Sequence, residues 1–385
     1  MPTVRTGARP TAGSSTTQIL QAQRVVEMHD TIMLLEPSKT PLTTFSSMVS
    51  RKSVQNPDFS VIEDELIPNI DRINQTAGHT SGDTTITVDN AAYVPPNSLI
   101  RVQRTGEVMR VTSVNTSTNV LTVSRSFGAT AAAALLDNDQ ITMIGGAAAE
   151  GATAEASKTT LKTTGINYCQ IFRWPFEVTN TERESELYGG ADLPYQSKKA
   201  GIEFGKSVEK AFFFGESAVN TSGATAIRAT GGIDTFVSTN DQDMGGTFNL
   251  VSFFSAAETF FRYGQKKKML FASRGLCTNI SLEAVGFVQT TRSDKTLGVK
   301  ITRLETPHGD LNIIAHDLLE GDKYGGYGYV VDMNNVGYRF LRNRDVKLKT
   351  NIQANDSDTR KDEYLGEVGF WRSLEKTHGR FTNAA

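Results

Sequence analysis

Apolar residues recur at helical spacing between Asp192 and Gly215. Pro194 suits the first turn of a helix, and charged residues fall on a different face from the apolar ones. The apolar positions, three or four residues apart, are Ala200, Phe204, Val208, Ala211 and Phe212. This pattern predicts one long amphipathic helix over about 192–215, with a length of about 30 Å or more. Gly201 and Gly205 lie inside it and predict either a bend or close packing against a neighbour.

Two further segments have the character of helices. Residues 250–263 have apolar side chains at i, i+3, i+4 and i+7 steps, most of them phenylalanines, which predicts a helix with an aromatic core face; they are Leu250, Phe253, Phe254, Ala257, Phe260 and Phe261. Residues 19–35 are densely apolar and contain neither Gly nor Pro, so their length favours a helix that ends before Glu36-Pro37. Residues 1–18 are rich in Thr, Ser, Gly and Pro and predict a polar arm.

Between residues 80 and 146 the pattern changes to short β-rich runs such as TTITV, SLIRVQ and NVLTVSR, separated by turn clusters. This alternation is typical of a small antiparallel barrel or sandwich. The segments on either side are extended and rich in turn residues, so the β-unit is interpreted as an insertion into a longer excursion of the chain. After residue 266, strands and short helices are interspersed without a βαβ repeat, which indicates an α+β fold.

The extended segment before the β-unit contains apolar side chains that have no local partner in the sequence. They include Leu42, Phe45, Leu66 and Ile67, and we expect neighbouring subunits to cover them. Near the C-terminus, Trp371 lies on a strand face opposite the apolar one, so we expect it to meet another chain as well.

Charge and composition exclude several function classes. The chain has 385 residues, and its 40 basic and 42 acidic residues nearly cancel, so it has no bulk electrostatic reason to coat DNA or an anionic membrane. No run approaches the roughly 18 apolar residues of a membrane span, and the N-terminus lacks the apolar stretch of a signal peptide. We therefore expect a protein that is made in a cytoplasm.

Candidate chemistry is sparse. Gly205-Lys206-Ser207 lacks the glycine spacing of a phosphate loop, and the five histidines show no zinc-site spacing. Cys169 and Cys277 are far apart, which predicts two buried free thiols. His316 could approach Asp310 or Asp317, but carboxylates beside turns are common. The closing stretch with Glu375, Lys376 and His378 lacks the nucleophile, base and orienter of a catalytic triad, so we predict no catalytic site, no cofactor and no metal.

Taken in chain order, these segments resemble the major capsid proteins of tailed double-stranded DNA bacteriophages. The resemblance is to the subgroup whose extended loop carries a small β-domain. The matching blocks are LEPSKTPLTTF at 35–45, the segment 180–216 around the long helix, TAIRATGGIDTFVST at 225–239, LETPHGDLNIIAHDLL at 304–319, YVVDMNNVGYRFLRN at 329–343 and GEVGFWRSLEKTHGRF at 366–381.

The resemblance implies a domain organisation. It predicts an N-terminal arm at 1–60, an extended loop at 61–165 with the β-domain at 80–146, and an axial domain at 223–339. The peripheral domain, which contains the long spine helix, is expected at 166–222 and 340–385.

The resemblance also implies function and partners. It predicts a structural protein that self-assembles through hexamers and pentamers into an icosahedral head in the bacterial cytoplasm. The head encloses double-stranded DNA without sequence-specific binding, and portal, scaffold and decoration proteins are allowed as partners. Two alternatives stay open at this point: the shell protein of a bacterial nanocompartment, which has the same fold, and a carbohydrate or cell-surface binding module built on the β-unit.

Overall fold

The chain divides into two compact units, which are described separately. A computed structural model describes residues 40–151, 159–185, 190–223, 225–246, 248–285 and 303–384. The first unit comprises residues 1–61 and 166–385, and the second comprises residues 62–165. The helix predicted at 19–35 and the polar arm at 1–18 lie outside the described residues.

Helices and strands alternate along the described chain. The α-helices are α1 (Pro41–Val49), α2 (Asn180–Glu184), α3 (Asp192–Phe214), α4 (Ile233–Phe236), α5 (Leu250–Phe260), α6 (Arg274–Val285) and α7 (Gly321–Tyr324). The strands are β1 (Arg51–Val54), β2 (Asp58–Glu63), β3 (Ile70–Arg72), β4 (Thr85–Thr87), β5 (Ser98–Val102), β6 (Val108–Asn115), β7 (Val120–Ser124), β8 (Gln140–Gly146), β9 (Thr163–Tyr168), β10 (Gln170–Thr179), β11 (Ala218–Asn220), β12 (Ile227–Ala229), β13 (Asp241–Asp243), β14 (Lys267–Ala272), β15 (Arg303–Thr306), β16 (Gly309–Ala315), β17 (Gly328–Val331), β18 (Val336–Leu341), β19 (Lys347–Lys349), β20 (Thr359–Arg372) and β21 (Gly379–Thr382).

The predicted long helix is confirmed as α3, and its apolar stripe packs on a sheet. Strands β1, β18, β20 and β10 lie side by side, with β19 also paired to β20. Phe204, Val208 and Phe212 are buried against this sheet because the helical repeat places them on one face. A Cβ at Gly201 would lie 3.3 Å from the hydroxyl of Tyr364 on β20, so this glycine permits close packing of the helix.

A second sheet in the same unit is covered on both faces. Its strand order is β13-β21-β17-β14-β16-β15, with parallel pairs β13/β21 and β14/β16. Phe271 packs at the C-terminal end of α3, where its ring lies 5.8 Å from that of Phe213. The other face packs on α5, where Phe253 stacks on Phe381 at 4.5 Å. The predicted aromatic face of the helix beginning at residue 250 is therefore confirmed.

The C-terminal strand β21 pairs with β17 in this second sheet, whereas β20 pairs with β10 and β18 in the sheet that packs on α3. The assignment of 340–385 to the peripheral domain stays a prediction. The long strand β20 ends at Arg372, and Leu374 adopts a left-handed backbone with φ 52°. A non-glycine residue in that region breaks the extended run, because left-handed geometry cannot continue a strand. The chain therefore turns at this point and leaves the first sheet.

The second unit contains the inserted β-structure as a six-stranded antiparallel barrel. The strand order is β3-β8-β5-β6-β7-β4, and a bridge between Ile73 and Val88 joins the two outer strands. Its interior is filled by branched aliphatic side chains such as Ile86, Ile100 and Val111. The predicted start at residue 80 is too late, because β3 pairs with β8 in the same sheet. Three residues between a proline and a polar loop give too short a pattern to be identified as a strand.

Candidate assembly surface

Two of the residues predicted to contact a neighbouring subunit are covered within their own chain. Leu42 is fully buried in the first unit, and Phe45 packs against the same apolar cluster. The prediction that they lack a local partner is therefore wrong. The cause is that residues 41–49 form α1 rather than an extended strap, with Pro41 at its first turn. Helical spacing then directs both side chains toward the core.

The other three predicted residues differ in exposure. Leu66 exposes 90% of its surface, whereas Ile67 is half-buried. Trp371 is half-buried, and the guanidinium of Arg339 lies 4.6 Å from the centre of its ring. The structure thus leaves Leu66 as the most exposed apolar side chain of the predicted set.

Further exposed apolar side chains lie before Leu66 in the sequence and in the segment 161–166 that follows the barrel. Ile62, on β2, exposes 69% of its surface. Leu161 and Ile166 expose 88% and 53%, and Ile166 lies on β9, the strand that pairs with β2. Leu161 and Ile166 were not predicted from the sequence, although Leu161 stands as an isolated apolar residue between Thr160 and Lys162. Isolated apolar residues are common on protein surfaces, but side chains this exposed are candidates for contact with another protein.

A buried polar cluster was also missed by the sequence analysis. Glu209, on α3, is fully buried and accepts hydrogen bonds from the backbone N–H groups of Leu42 and Thr43 at 2.8 and 2.7 Å. Its carboxylate also pairs with His316 Nε2 at 2.8 Å. His316 therefore bonds to Glu209, while Asp317 bonds to Arg274 instead. The only sequence signal was one carboxylate between apolar positions of the helix.

The polar residues Glu375 and His378 near the C-terminus form hydrogen bonds with backbone groups. Glu375 accepts hydrogen bonds from the N–H groups of Ser238 and Thr239, both at 2.7 Å. His378 is fully buried, its Nδ1 accepts from the N–H of Asp332 at 3.3 Å, and its Nε2 lies 3.2 Å from the carbonyl oxygen of Ser373. Because both ring nitrogens are engaged, His378 is not arranged as a general base.

A buried lysine secures the same region. Lys268, on β14, donates to the carbonyl oxygens of Phe260, Tyr263 and Thr377 at 2.5, 2.9 and 2.6 Å. Burial lowers the pKa of this ammonium group to about 8. Its three acceptors tie the end of α5 to the C-terminal segment, which is a structural use of a buried cation.

The thiols and the remaining chemical signals have simple environments. Cys169 is buried, and burial raises the pKa of its thiol to about 12, whereas Cys277 is only half-buried. Within the described residues, no group of three or more His, Cys, Asp or Glu side chains is placed to hold a metal ion. Among the helices of the described chain, none combines the length and apolar character of a membrane span.

Comparison with known proteins identifies relatives of this chain. A family model described as SU10 major capsid protein matches residues 11–385. A major capsid protein of Pseudomonas phage PaMx41 is 30% identical over 159 residues, which are 41% of this chain. That match spans 38% of the relative's own length.

Solved structures show the same fold at low sequence identity. The capsid of a native GTA particle has a TM-score of 0.53 at 10% identity and covers 97% of this chain and 99% of its own. The capsid protein of cyanophage A-1(L) also has a TM-score of 0.53, at 9% identity, with 96% and 99% coverage. The described chain therefore has the α+β fold of tailed-phage capsid proteins, and, because the family model covers nearly its whole length, it belongs to the SU10 major capsid protein family.

Proposed function

We propose that this chain is the structural major capsid protein of a tailed phage, which assembles with copies of itself through hexamers and pentamers into an icosahedral head. The observation that carries the proposal is the family match over residues 11–385. Exposed apolar side chains at Ile62, Leu66 and Leu161 support it, because a surface of this kind is stabilised when a second copy covers it.

The stability of a shell depends on the repetition of modest contacts between its copies. Burying one leucine side chain contributes about 1.5–3 kcal/mol, which is too little to hold two proteins together by itself. In a closed shell each copy repeats the same contact with its neighbours, so several modest contacts per copy stabilise the whole particle. A few highly exposed apolar residues fit this arrangement, while a single large apolar face would cause uncontrolled association.

The contents and location of the shell follow from the same proposal. The shell encloses double-stranded DNA without reading its sequence, in agreement with a net charge of only −2. Its assembly takes place in the bacterial cytoplasm, its final location is the virion, and portal, scaffold and decoration proteins are its expected partners. The chain acts without catalysis, in agreement with the backbone-bound state of Glu375 and His378.

The test uses one charge at an exposed apolar position. Leu66→Asp removes an apolar side chain that has little burial to lose within the subunit, so we expect an unchanged melting temperature and a loss of rings and shells. Ser117→Asp, in the exposed turn after β6, adds the same charge at a polar position and is the matched control. Negative-stain imaging and light scattering measure assembly. A wild-type protein that stays monodisperse at its chain mass of 42.0 kDa under every condition would refute the proposal.

A further inference from the structure

Helix α1 depends for its N-terminal hydrogen bonds on a residue far away in the sequence. Thr40, at the capping position, makes no side-chain cap, and Pro41 has no N–H group to satisfy. The N–H groups of Leu42 and Thr43 both bond to the Glu209 carboxylate, and the Thr43 hydroxyl bonds to the same group. Glu209 therefore acts as the cap of α1 from within α3.

His316 holds this carboxylate in place. The N–H of Leu318 donates to His316 Nδ1 at 3.2 Å, so that nitrogen is an acceptor and carries no proton. The ring proton then lies on Nε2, which donates to Glu209 at 2.8 Å. The ring of Phe213 packs edge-on against the imidazole at 4.6 Å. Glu209 thus accepts four hydrogen bonds inside an apolar environment, where each is strong and its loss is costly.

Besides this cap, α1 is held by the packing of Leu42 and Phe45 on the apolar core. The helix has nine residues, which is too short for a helix to be stable in water by itself. Leu42 is its one fully buried large side chain, while Met48 and Val49 are 74% and 47% exposed. The next strand, β1, pairs with β18 at the edge of its sheet and leaves most of its side chains exposed. The polar cap and the packing of Leu42 and Phe45 therefore hold this segment together.

We propose that α1 is a separately releasable segment and that the Glu209–His316 pair is the latch that holds it. Opening the latch frees residues 40–49 without unfolding the two sheets, because the ring contacts of Phe204 with Phe172 on β10 and of Phe212 with Phe370 on β20 do not involve α1.

Such release has a use if the proposed function is correct. Copies of one chain in hexamers and pentamers occupy different surroundings, and a segment with two positions allows each copy to adapt. This use rests on the proposed function, whereas the latch is a property of the single subunit. The experiment below measures release in the subunit directly, so its failure and a failure of assembly are distinguishable.

The test is amide hydrogen exchange of the full-length chain, followed by mass spectrometry. Glu209→Gln keeps the side-chain size, but its NH₂ group must face either the Leu42 N–H or the Thr43 N–H, so at least one bond is lost. We expect peptides within 40–49 to exchange at least about tenfold faster, while peptides of β17 and β20 change far less. Glu203→Gln is the matched control. This carboxylate lies on the same helix and, within the described residues, accepts one hydrogen bond, from Trp174 Nε1 at 3.0 Å.

Three outcomes decide the proposal. Selective acceleration in α1 supports the latch. Equal acceleration in α1 and in β17 would overturn it, because Glu209 would then be a part of the global core. Unchanged exchange in α1 would overturn it as well. If Glu209→Gln does not fold, Thr43→Val removes only the hydroxyl bond, and a smaller acceleration confined to α1 is then the expected result.

Discussion

His378 should make the stability of the subunit depend on pH in mildly acidic solution. The imidazole is fully buried beside the ring of Phe236, at 5.9 Å, and next to the backbone of Asp332. Burial lowers its pKa from 6.5 to about 4, against the opposing effect of its hydrogen bond with Ser373 and of nearby Asp332. The nearby ammonium of Lys268 acts in the same direction as burial.

The sign and size follow from proton linkage. Below pH 6.5 the unfolded chain binds a proton at His378 while the folded chain stays neutral, so the free energy of unfolding falls as the pH falls. With a folded pKa of about 4, the loss is about 2 kcal/mol at pH 5 and about 3 kcal/mol at pH 4, relative to pH 8. Above pH 7 this residue contributes no pH dependence.

The assay is urea unfolding of the unassembled subunit at several pH values between 8 and about 4.5. His378→Gln keeps a donor for Ser373 but cannot titrate, so its stability should fall less steeply than that of wild type by about 2 kcal/mol at pH 5. His308→Gln, in an exposed turn, is the control for loss of an imidazole. Equal slopes for wild type and His378→Gln would show that the buried neutral ring is not responsible.

Three shorter predictions concern the core, the barrel and DNA. Phe204→Ala removes a ring buried between Phe172 and Tyr364 and should lower the free energy of unfolding by about 3–5 kcal/mol. Lys210→Ala, on the exposed face of the same helix, should change it by less than about 0.5 kcal/mol. Equal effects of the two substitutions in urea titrations would mean that the apolar stripe of α3 is misassigned. Replacing residues 70–146 by a short Gly/Ser linker should leave the first unit folded, because the barrel has its own core, but should weaken or abolish shells. Circular dichroism measures the folding of the deletion protein, and complete unfolding would contradict this prediction. Unassembled subunits should bind DNA weakly at physiological ionic strength, and strong salt-sensitive binding in a filter assay would count against a neutral lining.

Several features of the fold could be predicted from the sequence because they depend on local periodicity. The stripe from Ala200 to Phe212 repeats at helical spacing over more than three turns, so no other element could bury it. The barrel strands alternate over short runs with turn residues between them, and that pattern also depends on neighbouring residues alone.

Other features were decided by contacts between residues far apart in the sequence. Leu42 looked exposed because its partners on α3 and β18 lie more than a hundred residues away, and no local pattern reveals them. Glu209 was not identified from the sequence, because α1 and His316 reach it across separations of 167 and 107 residues. Short strands such as β3 become strands only when a partner such as β8 supplies the hydrogen bonds.

Features that follow from a local sequence pattern could therefore be predicted, whereas features that need a contact with a distant residue could not. The sequence determined where the long helix, the aromatic helix and the barrel lie, because burial of one face imposes a repeat that can be counted along the chain. Only the tertiary structure decided which polar groups are buried and which apolar groups stay exposed. A buried carboxylate is stable only if specific donors converge on it. The exposure of Leu66 is recognised only from the folded structure, where the described part of the chain leaves 90% of its surface uncovered.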